Sequence, residues 1–205
     1  LDLFTGTSRL SLKRWLKMFN TIFSSYYYVK KLNCNLSDIK NNILQVQKED
    51  KKGVVVSNKG GWQSKSFKKI HKPLQPLFNS LLEITEEIKN KLKLKNKLKL
   101  KNYWFNINTL GSFNIPHFHT DCMVSGVFYV NVKLNNGNLI LLSSDKTTQL
   151  YYDNQVKEHS VHTASSYSIT PENNLCIFFP SNLTHYVQPN LTNNERISIS
   201  FNYGF

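Results

Sequence analysis

Tyr103-Trp104-Phe105-Asn106-Ile107-Asn108 reads as a β-strand, because Asn106 and Asn108 alternate with Phe105 and Ile107 and so give it one polar and one oily face. Short β-type runs recur at 124–133, 138–142, 176–179 and 196–202. Turn signals such as Asn135-Asn136-Gly137 and Pro171-Glu172-Asn173-Asn174 separate them. Upstream the period changes to that of helices. Helices first and strands after is the order expected when helices buttress one side of a jelly-roll or cupin-like β-sandwich, a mainly β fold of the α+β kind.

Three helical stripes precede the strands. Over 11–26 apolar residues fall at Leu12, Trp15, Leu16, Phe19, Ile22, Phe23 and Tyr26, with Ser11 placed as cap. A second helix is expected from Ser37 to about Lys51, its acidic first turn suiting the helix dipole, and a third after Pro76 with Leu77, Leu81, Leu82, Ile84 and Ile88 on one face. Val54, Val55 and Val56 read as a short strand leading into the turn-rich Ser57-Asn58-Lys59-Gly60-Gly61. The Lys/Leu alternation at 91–101 reads as a solvated edge or linker. The division expected is a helical region over 1–53, packed on a β domain over 54–205, the two forming a single structural domain.

A length of 205 residues suits one such domain and one site. The net charge of +13 raises the possibility of a polyanionic partner. Nucleic acid is nevertheless not the favoured partner, because the lysines are scattered and densest only at 91–101, whereas a footprint needs a clustered face. Cys34, Cys122 and Cys176 are widely spaced with no CxxC pair, which fits a reducing cytoplasm. No apolar run approaches a membrane span, so no membrane partner is expected.

His119-Thr120-Asp121 has the spacing that lets an imidazole and a carboxylate project to one side of an extended chain. With His185, which follows an apolar run, they make two histidines and one carboxylate, a set that holds ferrous iron while leaving positions open. His119, Asp121 and His185 are therefore the expected metal ligands. His117 shares their strand parity and is either a ligand or a support behind one. Arg196 lies eleven residues past His185, and Ser198 shares its face. A guanidinium and a hydroxyl so placed can hold a carboxylate, with Tyr129 a candidate third contact and Asn108 a weaker fourth. The bland reading of Tyr129 is a core tyrosine with a satisfied hydroxyl.

Several stretches also resemble a known family. Ser57-Asn58-Lys59-Gly60-Gly61-Trp62-Gln63-Ser64, His117-Phe118-His119, Ser125-Gly126-Val127-Phe128-Tyr129-Val130, Phe179-Pro180-Ser181, His185, Pro189-Asn190 and Arg196-Ile197-Ser198-Ile199-Ser200-Phe201-Asn202 occur in the order seen in 2-oxoglutarate/Fe(II) oxygenases common in phages and marine bacteria, of the prolyl-hydroxylase-like superfamily. The resemblance runs from Val54 to the end of the chain. It implies a double-stranded β-helix and a non-haem dioxygenase using Fe(II), 2-oxoglutarate and O₂, most simply a hydroxylase. On that reading Arg196 and Ser198 hold the distal carboxylate of 2-oxoglutarate. The prime substrate stays unidentified and the oligomeric state open. One departure is visible: relatives usually show HxH followed by Pro-Gly or similar residues, whereas this chain continues Thr120-Asp121.

The rival reading is a cupin-like metal- or ligand-binding module without oxygenase activity, since fold does not dictate function. Arg196 argues against it, because a simple metal cupin has no need of a carboxylate clamp. Trp62 and Gln63 are expected to anchor a loop more than to border an entrance, and His159 and His162 to lie at the surface. Neither a Ser-His-Asp set nor a phosphate-binding glycine loop nor a paired-carboxylate site is recognisable.

Overall fold

The structure is a computed structural model and describes residues 25–144 and 155–205. The helical stripe expected at 11–26 therefore lies almost wholly outside the described residues. The chain runs β1 (Tyr28–Lys31), α1 (Leu36–Glu49), β2 (Asn58–Lys59), β3 (Trp62–Gln63), α2 (Gln75–Lys91), β4 (Lys99–Asn108), β5 (Phe113–His117), β6 (Val124–Asn131), β7 (Leu139–Leu142), β8 (Ser166–Ile169), β9 (Leu175–Pro180), β10 (His185–Val187) and β11 (Arg196–Gly204).

Both helices have local causes. At α1 the side chain of Asn35 accepts from the backbone N–H groups of Ser37 and Asp38, so the cap sits two residues before the expected start. Pro76 occupies the first turn of α2, where its missing N–H costs nothing, and Lys89 and Lys91 face the dipole at the other end. The expected apolar stripe of α2 is buried at Leu77, Leu81, Ile84 and Ile88, while Leu82 is exposed.

The strands form two antiparallel sheets, ordered β1-β9-β6-β11-β4-β3 and β2-β5-β10-β7-β8. From β4 onward the chain passes back and forth between them, which makes the pair a double-stranded β-helix. β11 lies between β4 and β6, and its side chains serve two environments. Ile197, Ile199, Phe201 and Tyr203 join Tyr103, Phe105 and Ile107 of β4 in a core shared with Ile39 and Ile43 of α1 and with α2. Arg196, Ser198 and Ser200, with Asn106 and Asn108, line a cavity on the opposite face. The helices thus cover the outer face of the larger sheet. A second core of Tyr129, Leu139, Leu141, Ile177, Phe179 and Leu183 fills the space between the sheets.

Three local readings change. Residues 54–56 are not a strand: pairing begins at Asn58, and Val55 and Val56 are 79% and 61% exposed, so β-branching found no burial to reward it. The Lys-rich stretch is only partly a linker, since Leu98 is buried and Lys99 already pairs with Gly204. β1, β2, β3, β5, β8 and β10 were not anticipated. β10 has three residues and is a strand because β5 and β7 flank it on both sides.

Gly126 in β6 faces the ring of Phe201, and a Cβ there would overlap that ring and stand 2.5 Å from the carbonyl of Ile177. Gly126→Val should lower stability by about 1–3 kcal/mol through overpacking, read as an earlier denaturant midpoint. Wild-type stability in that variant would show the strands are not packed as described.

Candidate metal centre and anion pocket

β5 and β10 are neighbours in the smaller sheet, and their register sets His117 directly opposite His185. The turn between β9 and β10 that delivers His185 also holds the next ligand candidate, because the N–H of His119 donates to Ser181 O at 2.8 Å. The ring centroids of His117 and His185 are 4.3 Å apart, and His119 stacks on His185 at 5.1 Å. Candidate ligand atoms of His117, His119 and His185 all lie within 4.8 Å of one another. Nδ1 of His117 meets Ile115 O at 2.7 Å, and Nδ1 of His185 meets Leu183 O at 2.9 Å. A carbonyl can only accept, so each Nδ1 carries the proton and each Nε2 keeps a free lone pair.

Burial holds these rings neutral. It pushes His185 down to about 3 and His119 to about 4, with neighbouring imidazoles adding to the effect, and it also lowers His117. Neutral imidazoles are the form that binds metal.

Asp121, expected to complete the set, is not in that cluster. Strand pairing ends at His117, and Asp121 takes a left-handed φ of +59° in a bend where its side chain is exposed. Strand parity therefore carries 117 and 119 to one place and does not reach 121. No aspartate or glutamate lines the cavity among the described residues.

The opposite end of the cavity is cationic. Arg196 is 1% exposed and pairs in register with Asn108, while Ser198 stands between Asn106 and Tyr129. Nη1 of Arg196 donates to Asn136 O at 2.5 Å and to Gly137 O and Gln188 O at 3.3 Å each. Its Nη2 is buried without a partner, and no carboxylate pairs with it among the described residues. Asn136 is fixed in turn: its side-chain amide donates to Asn190 Oδ1 at 2.8 Å, and Asn190 donates to Asn108 O at 3.0 Å. Burial pushes the Tyr129 hydroxyl up to about 12, so it stays a neutral donor.

All four residues expected to hold a carboxylate, Arg196, Ser198, Tyr129 and Asn108, line this one cavity with His117, His119 and His185. Trp62 instead anchors a loop, donating to Asp50 O at 2.8 Å, and His159 and His162 are exposed. Two contributors escaped the sequence reading. Trp104 stacks on His119 at 5.6 Å and lines the cavity, a position its parity with Asn106 and Asn108 could have suggested. The carbonyls around Arg196 carry no side-chain signal at all.

Residues 102–202, from β4 through β11, match the family described as "Putative 2OG-Fe(II) oxygenase". No curated protein matches in sequence. Among solved structures, a Pseudomonas putida prolyl-4-hydroxylase superposes with a TM-score of 0.60 at 14% identity, over 87% of this chain and 91% of that one. The viral collagen prolyl hydroxylase of Paramecium Bursaria Chlorella virus-1 gives 0.55 at 14%, over 88% and 97%. The carbocyclase SnoK from nogalamycin biosynthesis gives 0.59 at 9%, over 88% and 79%. At these identities the likeness establishes the double-stranded β-helix, and the match over 102–202 supplies the rest: the chain carries a 2OG-Fe(II) oxygenase domain, the domain of oxidoreductases that use Fe(II), 2-oxoglutarate and O₂.

Proposed function

We propose that the chain hydroxylates a C–H group of a polypeptide, with iron at the imidazole end of the cavity and 2-oxoglutarate reaching from there to Arg196. The observation that carries this reading is a buried guanidinium whose Nη2 has no partner and which no acid accompanies among the described residues, in the same cavity as three neutral imidazoles. Burying an unpaired cation costs several kcal/mol, so a cavity built this way is made for an anion. The donor set fits iron as well, since nitrogen ligands on adjacent strands suit a divalent transition metal.

In this reading His119 and His185 are two of the metal ligands. Arg196 takes the distal carboxylate through Nη2, Ser198 and Tyr129 offer hydroxyls to it, and Asn108 borders it. Bound iron supplies the redox chemistry that couples O₂ reduction to co-substrate decarboxylation and substrate oxidation. Leu139, Phe179 and Val187 give the cavity dry walls that keep bulk water from the reacting groups. A module that merely held metal would leave the burial of Arg196 uncompensated, which disfavours the cupin-like alternative. Prolyl hydroxylases among the structures of this fold, one solved with a peptide fragment, support a polypeptide as the first substrate class to test. Three unpaired cysteines support a reducing, cytoplasmic setting.

Anaerobic titration of the Fe(II)-loaded protein with 2-oxoglutarate should produce a visible charge-transfer band. Arg196→Ala should weaken that titration by about 10- to 100-fold, and Arg196→Lys should not restore it, because an ammonium lacks the fork that donates to carbonyls and ligand together. Unchanged co-substrate affinity in both variants would remove the basis for the assignment. A gentler probe is Gly137, at φ +89°, where a Cβ would collide with Gln188 O and sit 2.8 Å from Nη1 of Arg196. Gly137→Ala should raise the dissociation constant for 2-oxoglutarate while leaving that for metal alone within about twofold, since sites with no shared partners behave independently. Equal losses for both would mean the turn acts on the whole fold.

A further inference from the structure

Resting on the reading above, we infer that the metal is held by three uncharged imidazoles, His117, His119 and His185, with no carboxylate from the described residues, and that the anionic co-substrate consequently binds cooperatively with the metal. Two observations fix the ligand set. The ligand atoms of the three histidines share one locus within 4.8 Å, and Asp121 leaves it on a left-handed turn with its side chain in solvent. Carbonyl bonds at Nδ1 of His117 and His185 commit both rings to offering Nε2, so His117 is prepared as a ligand in the same way as His185.

The charge consequence follows from what lines the cavity. Beside the imidazoles it presents Arg196, serines, asparagines, Tyr129 and apolar groups, with no acidic side chain among the described residues. A divalent metal on neutral ligands keeps its full charge, in the same cavity as a guanidinium whose Nη1 donates to neutral carbonyls. Two cations in one buried space repel each other far more than in water, and a dianion spanning them removes that repulsion. Each ligand should then strengthen the other by the same factor, as linkage requires.

The test uses the whole chain with Co(II) as metal and 2-oxoglutarate, followed by calorimetry without O₂. Co(II) should bind at one per chain and tighten by about tenfold or more when 2-oxoglutarate is present, with the reciprocal gain for 2-oxoglutarate. Asp121→Asn should leave both constants unchanged, whereas His117→Ala should lose most Co(II) affinity. His119→Asp, which places a carboxylate beside His117, should still take up Co(II) but show a smaller coupling factor. X-ray absorption at the cobalt edge of the wild-type protein should report three imidazoles, a result that does not depend on any variant folding. Loss of Co(II) in Asp121→Asn with retention in His117→Ala, or two imidazoles and a protein carboxylate at the edge, overturns the inference while leaving the oxygenase reading intact. Independent binding of the two ligands overturns the cooperative half. A wild-type protein that takes up no Co(II) and no Fe(II) defeats both readings.

Discussion

The pairing of β11 between β4 and β6 is the constraint on which the molecule depends. Along that strand a two-residue period divides labour strictly, with branched and aromatic side chains going to the helices and Arg196, Ser198 and Ser200 going to the cavity. A slip of one residue would put the guanidinium into the helix-covered core and isoleucines against the imidazoles. The apolar packing of α1 and α2 therefore does more than stabilise: it locks the register that keeps the charged face inside the barrel. The same logic explains how a polar interior is tolerated, since the dry side of each strand supplies the burial that the wet side forgoes.

Much of this was legible from periodicity alone. Residues 103–108 and 196–202 announce themselves as strands with two unlike faces, and α2 is visible from its stripe and from Pro76. The spacing of Arg196 and Ser198 also survived into space, because both lie on a regular stretch where sequence parity is geometry. Legibility failed where the chain leaves regular conformation or where neighbours decide. Asp121 was read by continuing strand parity two residues too far, into a backbone with positive φ that a non-glycine residue rarely signals. Val54, Val55 and Val56 have the propensity of a strand but pair with no other strand, whereas β10 is only three residues long, too short a run to signal a strand, and has two partners.

Backbone contributions were invisible for a different reason. The carbonyls of Asn136, Gly137 and Gln188 that hold Nη1 of Arg196 belong to two loops, and any residue carries a carbonyl. What the sequence does disclose is indirect: Gly137 permits the close approach, and the buried amides of Asn136 and Asn190 stitch one loop to the other.

That stitching buries the guanidinium, since Arg196, Asn136 and Asn190 are each at most 1% exposed. A charge so placed lies beyond the reach of dissolved ions, and its pull on a bound carboxylate is weakened by salt far less than that of any surface lysine on this basic chain.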